Sequence, residues 1–458
     1  MKKPKICITK DPSFYKNFFS VWSMLVLYNI ITLSVNLADN VMINAYSETA
    51  MSGVTAVNQV QFLFQQLLIG AGDAIVVLGS QYWGQKNTNA IKRFSVGALL
   101  VGAGLSVILF VLACVIPEGI LALFTDSPEI KAAGVEYLGI MKYSYLIFAM
   151  TNLLLAVLRS VETVRIGFFV SLSTLVVNIS LNYLLIEGHL GAPALGITGA
   201  AIATLTARVV EFLVVIVYIG FVDKKLKWKL KELFTFDKTL VKDYVKLSLP
   251  MLVTSFLFGS SVALQTVILG HMSDAAIAAN SVSSTLFQLL KVASIGAASA
   301  ASILIGKAIG SGSMDKIRSY TQTLQLMFVG IGLVISTLLF VLREPVVGLY
   351  DNLTPESRQL ALDFLLVMCV VEMGTAYQMP TNVGIIRGGG DAKYVLVMDF
   401  ISIWCIVIPL SFTAAFVWQL PPLAVICCLH SDQVFKSIPA FIKVNRYHWM
   451  KKLTRQDT

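Results

Sequence analysis

Charge is what this sequence has least of. Only 13% of its 458 residues are Asp, Glu, Lys or Arg, about half the ~25% of an ordinary soluble chain. A soluble enzyme or a nucleic-acid-binding domain is thereby excluded as the main body of the protein, and the +9 net charge does not change this, because the basic residues are scattered between apolar runs. Histidine is scarce as well. The four (His189, His271, His430, His448) fall near expected loops or helix ends, with no Ser/His/Asp set and no metal spacing, so nothing in the chain proposes enzyme chemistry. The six cysteines (Cys7, Cys114, Cys369, Cys405, Cys427, Cys428) show neither zinc nor redox spacing and lie mostly in apolar segments, where they read as small hydrophobes. The basic start "MKKPKICITKDPSFYKNFFS" leads into an apolar run too long for a signal-peptide core and without a small-residue cleavage site; a retained first helix is expected.

What the chain has is hydrophobic length: 56% of residues are apolar and the mean hydropathy is +0.77. At about 20 apolar residues per crossing, the sequence predicts an all-α polytopic membrane protein with twelve transmembrane helices. They fall near 17–43, 53–80, 95–116, 134–158, 166–187 and 198–221, then 247–270, 277–306, 321–342, 359–385, 394–417 and 421–443. About 28 Lys and Arg fall in the loops on the N-terminal side of these spans, against three (Lys131, Arg343, Arg358) on the other. Both termini are therefore expected in the cytoplasm of a bacterial cell, with the protein in its inner membrane. The opposite loops carry acids, among them Glu48, Asp126, Glu129, Asp274, Asp351 and Glu356.

The longest basic loop, "DKKLKWKLKELFTFDK" (Asp223–Lys238), interleaves apolar and cationic residues in the manner of a headgroup-facing segment. It predicts an N-terminal six-helix lobe over 1–221, an inter-lobe loop over 222–242, and a C-terminal lobe with a short basic tail over 243–458. The halves repeat. "GQKNTNAIKRF" (Gly84–Phe94) aligns with "GSGSMDKIRSY" (Gly310–Tyr320), "VLRSVETVRI" (Val157–Ile166) with "IIRGGGDAKY" (Ile385–Tyr394), and Asn58, Val60 and Gln66 with Asn280, Val282 and Gln288. Six spans per half give both copies one orientation, so a pseudo-two-fold axis along the membrane normal is expected, an arrangement found in transporters.

The chain also resembles the multidrug and toxic compound extrusion (MATE) family over most of its length. The likeness is carried by Asp39 late in the first span, "QYWGQKN" (Gln81–Asn87), "LRSVETVRI", "NISLNYLLIEG" (Asn178–Gly188), "PALGITGAAIAT" (Pro193–Thr204), Leu249–Pro250, and "RGGGDAKY" (Arg387–Tyr394). Within that family it is most similar to the bacterial DNA-damage-inducible type. The resemblance implies two six-helix bundles and export of cationic or amphiphilic organic compounds against inward proton or sodium flow. It also implies a coupling site of one Asp on the first span, an Asn and an Asp one turn apart on the fifth, and a Thr on the sixth. Asp39, Asn178 and Thr204 match; the second position on the fifth span is Asn182, which leaves one acid instead of two and opens the identity of the coupling ion.

Physical chemistry points to the same residues. An ionised Asp in a bilayer core costs about 2.5–3.5 kcal/mol even on insertion scales, so it demands a partner or a wet cavity. Asn178 and Asn182, at i and i+4, share one helix face, and Gly199, Ala200, Ala201 and Ala203 give the sixth span a small surface that brings Thr204 close. Together these oxygens suit a proton or, as the possible metal, sodium. The competing expectation is that Asp39 only caps a helix end.

Other polar groups lie within the spans. Asn58, Gln61 and Gln65 share one helix face, and Asn280, Ser284, Gln288 and Lys291 another; they either line a substrate cavity or act as interhelical glue. Lys291 and Glu372, at similar depth, are expected to pair, either as a static bridge or as a site where a cationic compound displaces the ammonium. Arg208 with Glu211, and Asp432 with Lys436, read as local helix pairs; Asp399 and Asp73 receive no role. Pro380 should kink the tenth span, and Tyr145, Phe148, Met150, Phe258, Tyr377 and Met379 are candidate walls for flat molecules, Tyr377 being placed with the cavity. The function so expected is secondary antiport by a monomer, needing no cofactor beyond the coupling proton or sodium. Its partners are small organic substrates and membrane lipids, with no nucleic acid. A flippase for lipid-linked saccharides or a non-transport membrane scaffold are the alternatives.

Overall fold

The computed structural model describes residues 7–228, 232, 235, 237–350 and 353–455; Asp351 and part of the expected inter-lobe loop lie outside them. Among the described residues the chain is helical, without strands. The first half forms α1 (Pro12–Tyr46), α2 (Glu48–Gly84), α3 (Thr88–Val115), a short α4 (Pro117–Leu121), α5 (Pro128–Met141), α6 (Ser144–Ser160), α7 (Arg165–Leu185) and α8 (Gly196–Val217). The second forms α9 (Lys238–Gly270), α10 (Asp274–Gly310), α11 (Met314–Val347), α12 (Pro355–Met379), α13 (Ala392–Asp399), α14 (Ile408–Phe412), α15 (Pro422–Leu429), α16 (Ser431–Phe435) and α17 (Ser437–Asn445).

The helix starts follow local chemistry. Asn87 Oδ1 accepts the Ala90 N–H at 3.0 Å, Ser273 Oγ that of Ala276 at 3.1 Å, and Thr354 Oγ1 that of Ser357 at 3.1 Å, each satisfying an otherwise unpaired first-turn donor. Among the described residues, ten spans are long and apolar enough to cross a membrane, and α5 with α6 makes an eleventh. That pair is bent by 58° rather than forming the straight helix expected over 134–158. The expected span 421–443 is broken into α15, α16 and α17; Pro439 contributes no N–H to the turn before it, and the buried Asp432 and Lys436 lie at the break. At Pro380, where a kink was expected, the hydrogen-bonding pattern changes. The helix widens into π turns over Pro380–Arg387 and runs on as one span, Pro355–Arg387. The result is an all-α, multi-pass membrane protein.

The chain divides into two compact units. One comprises Leu27–Gly79 and Asn87–Leu252; the other comprises the chain up to Val26, Ser80–Lys86, and everything from Val253. The first half of α9 thus belongs to the N-terminal unit, where Tyr244 donates its hydroxyl to the Ala71 carbonyl at 3.1 Å. The core of this unit gathers Val54, Phe64, Leu68, Leu138, Tyr145 and Phe148; that of the C-terminal unit gathers Leu286, Phe287, Leu339, Phe364, Leu365 and Met368. Such continuous apolar packing inside each unit, with large apolar side chains also outside, is what a bilayer solvent permits.

The repeat is visible in the backbone. The turn from α2 to α3 places Lys86 at φ 61°, and its counterpart from α10 to α11 places Gly312 at φ 73°. The turn before α7 puts Glu162 at φ 59°, and the one before α13 puts Gly390 at φ 103°. In the C-terminal unit the tail is docked: Trp449 is fully buried against Gly389, and the Lys451 N–H donates to the Gly389 carbonyl at 2.8 Å. Gln81 at the end of α2 accepts from the Leu453 N–H at 2.8 Å and donates to the Lys451 carbonyl at 3.1 Å. Lys443 and Lys451 bracket Asp391 at 2.9 and 2.7 Å.

Candidate functional site

In the N-terminal unit α1, α7 and α8 bring four polar side chains together. Asn182 Nδ2 donates to Asp39 Oδ1 at 2.5 Å and to Asn178 Oδ1 at 3.2 Å, and Asn178 Nδ2 donates to Thr204 Oγ1 at 3.4 Å. Asn178 and Asn182 are 1% and 0% exposed, so these bonds are their principal polar interactions. The approach of α8 to α7 depends on its small residues: a Cβ on Gly199 would stand 2.4 Å from the Leu185 carbonyl oxygen, and Ala200, Ala201 and Ala203 are buried beside it. One acceptor remains open, since Asn182 Oδ1 is buried without a hydrogen-bond partner.

Sequence reasoning missed one member. The buried Tyr137, on α5, lies near Thr204; an aromatic residue three helices before α8 carries no spacing signal that would have found it. Beyond Thr204 on α8, Arg208 pairs with Glu211 at 3.1 Å and lies 4.3 Å over the Phe148 ring, while Glu211 also accepts from Thr174 at 2.7 Å. The expected local pair therefore exists, tied to α7 and α6 as well.

The C-terminal unit arranges its charges otherwise. Glu372 is fully buried, accepts from Ser294 Oγ at 2.9 Å through Oε1, and leaves Oε2 without a partner. The expected bridge to Lys291 does not form: the lysine sits 5.7 Å from the ring centroids of both Phe258 and Phe287. Equal depth on two helices does not fix which way each side chain turns, and here two aromatic faces hold the ammonium. Lys436 instead binds two acids, Asp432 at 2.8 Å and Asp399 at 3.1 Å, which gives Asp399 a place that the sequence left open. Tyr377 donates to Gln325 Oε1 at 2.8 Å, so its hydroxyl is committed to α11. Of the amide stripes, Asn58 and Gln288 are exposed, Gln65 and Asn280 half-buried, and Gln61 Oε1 is buried without a partner. None of these joins the Asp39 cluster by a direct hydrogen bond among the described residues. No group of three or more His, Cys, Asp or Glu that could hold a metal occurs among the described residues.

A multi-pass helical protein with a carboxylate held by amides inside one unit is the architecture of a membrane transporter. The MatE family model matches residues 25–184 and 250–413, and the chain belongs to that family. It is 24% identical over 432 residues to a Thermotoga maritima protein described as "Probable multidrug resistance protein NorM", covering 93% of this chain and 92% of the relative. It is also 24% identical over 403 residues to "Uncharacterized transporter YisQ" of Bacillus subtilis, covering 86% of each. Among solved structures, a mutant of the Vibrio cholerae MATE transporter VcmN superposes with a TM-score of 0.86 at 17% identity, over 96% of this chain and 98% of the other.

Proposed function

We propose that the protein is a secondary antiporter that exports cationic or amphiphilic organic compounds in exchange for protons or sodium, by alternating access, with both termini in the cytoplasm. The observation that carries this reading is the Asp39 cluster: a membrane-embedded carboxylate whose surroundings offer donors and acceptors and, among the described residues, no salt-bridge partner. A proton or Na+ arriving there neutralises the acid, and the open Asn182 Oδ1, with Asn178 Oδ1 and Thr204 Oγ1, supplies the oxygens either ion prefers. Neutralisation removes the reason for Asn182 to hold Asp39 in its present place, so ion binding shifts α1 relative to α7 and α8. Coupling then follows because the two arrangements bind the ion with different affinity. The names of the relatives, multidrug resistance proteins, support organic compounds as the exported cargo. A pyrophosphate-holding flippase cavity would need a basic cluster; Lys436 is already neutralised by two acids and Arg208 is paired with Glu211.

The test is ethidium efflux from everted vesicles under separately imposed proton and sodium gradients. Asp39→Asn is expected to reach the membrane and lose gradient-driven efflux, and Asn182→Asp in that background is expected to return part of it. Wild-type efflux by Asp39→Asn under either gradient would overturn the assignment.

A further inference from the structure

Two motifs singled out in the sequence lie outside the Asp39 cluster, and the tail joins them. Gln81, Tyr82 and Gln85 of "QYWGQKN" stand at the end of α2, and Gly389 and Asp391 of "RGGGDAKY" in the turn before α13. The tail holds the second motif with a buried ring and a charge. Trp449 is fully buried against Gly389, its indole N–H donates to the Val444 carbonyl at 2.8 Å, and Lys451 reaches both the Gly389 carbonyl and the Asp391 carboxylate. Its grip on the first motif is made of neutral hydrogen bonds. Gln81 bonds the Lys451 carbonyl and the Leu453 N–H, Gln85 Nε2 donates to Thr454 Oγ1 at 2.6 Å, and the Arg455 N–H donates to the Tyr82 hydroxyl at 3.4 Å. A neutral hydrogen bond is worth little net, because water replaces it, whereas a buried indole and a charge-assisted pair hold fast. The tail is therefore firmly anchored at one end and lightly attached at the other.

The same end of α2 meets α10 through small residues. A Cβ on Gly306 would collide with the Ser80 side chain, one on Gly310 with the Gln81 carbonyl, and one on Gly84 with the Lys307 carbonyl. At these three positions the backbones approach closely and no long side chain stands in the path of separation. The division between the compact units also falls here: α2 belongs to the N-terminal unit up to Gly79 and to the C-terminal unit from Ser80. Taking the exporter reading, with the termini in the cytoplasm, as its basis, we propose that residues 451–455 are a strap. It holds the end of α2 against α10 in the arrangement seen here and releases it when the cytoplasmic side opens, while Trp449 stays anchored over Gly389. Each bond of the strap favours the closed arrangement, so together they set how often that side opens.

Pulsed electron paramagnetic resonance on the full-length protein in lipid nanodiscs tests this without transport, with the six native cysteines replaced and spin labels at Lys86→Cys and Lys452→Cys. Two distance populations are expected, a short one for the docked strap and a longer one for the released strap. Ending the chain after Lys452 removes the bonds made by residues 453, 454 and 455 and keeps the Trp449 anchor; the ratio of long to short is expected to rise about tenfold or more. Gln81→Met, which leaves the chain whole, should raise it severalfold. A single short population throughout, or a ratio that neither change moves, would overturn the proposal. Efflux gives a second reading. Gln85→Cys and Thr454→Cys bridged by a short reversible thiol cross-linker should stop ethidium efflux until reductant is added, while a bridge from Asp391→Cys to Lys451→Cys should not. Unchanged efflux with the first bridge, or equal loss with both, would also overturn it. If the unbridged protein exports nothing, the exporter reading fails on its own, and the label distances still decide whether the strap releases.

Discussion

The two halves of the chain repeat in sequence, yet their buried charges are arranged differently. In the N-terminal unit one acid, Asp39, accepts from the Asn182 amide, which in turn is bonded to Asn178 and through it to Thr204, while a second acid, Glu211, pairs with Arg208. In the C-terminal unit three acids and two lysines share the interior, with Lys436 doubly paired and both Lys291 and Glu372 left partly uncompensated. At the repeat offset of the paired turns, Asp39 falls on Gln265, a neutral residue. Asp39, held by uncharged donors, is not neutralised in place, whereas Asp432 and Asp399 on Lys436, and Glu211 on Arg208, already are.

The contrast is broken most severely by removing the Asp39 carboxylate. Asp39→Asn is expected to abolish gradient-driven efflux while leaving equilibrium binding of norfloxacin in nanodiscs near wild type; loss of both together would place Asp39 in substrate binding instead. Next in size is Lys436→Met, which strands Asp399 and Asp432 beside each other and should lower stability by about 3–5 kcal/mol, read as thermal unfolding in detergent. Asp432→Asn in the same chain should recover part of that loss.

A third test exploits the tail. Burial works to raise the Asp391 carboxyl, but hydrogen bonds and charges from Lys451 and Lys443 outweigh it and hold the group below the usual carboxylate range. A carboxyl depressed in the folded state contributes stability above its ordinary range and loses it as pH falls through the depressed value. The tail should therefore stay docked at neutral pH and loosen only in strong acid, with Asp391→Asn loosening it at every pH; Trp449 fluorescence and limited proteolysis report both. The smallest effect separates the twin turns. Gly312→Ala meets no atom within 4 Å and should cost only the left-handed backbone penalty, about 1–2 kcal/mol. Gly390→Ala adds a 3.0 Å approach to the Lys451 carbonyl and should cost more, as urea unfolding would show.

The helical spans and both turns were legible because hydropathy length and the spacing of Gly, Asn and Pro are local signals. So was the Asp39 cluster, since i and i+4 asparagines and a small-residue helix face determine what can approach. Tyr137, Ser294 and the partner of Asp399 were not. Each reaches its site from a different helix, and nothing in sequence fixes the rotation of one helix about its axis against another. The Lys291–Glu372 bridge was misread for the same reason: depth is written in sequence and azimuth is not. The breaks in 421–443 and the bend after Met141 are tertiary responses that hydropathy alone does not encode.

The docked tail has a consequence for the order in which the protein can be made. Gln81 is synthesised early, yet its amide finds its partners at Lys451 and Leu453, some 370 residues later. While the ribosome works through the intervening chain, that amide and the space above Gly389 wait unfilled, and this part of the C-terminal unit closes only when residues 449–453 have emerged. Trp449 therefore ties late synthesis to early: without its indole, Gly389 would face a hollow, and without residues 451–453 the Gln81 amide would lose these two partners.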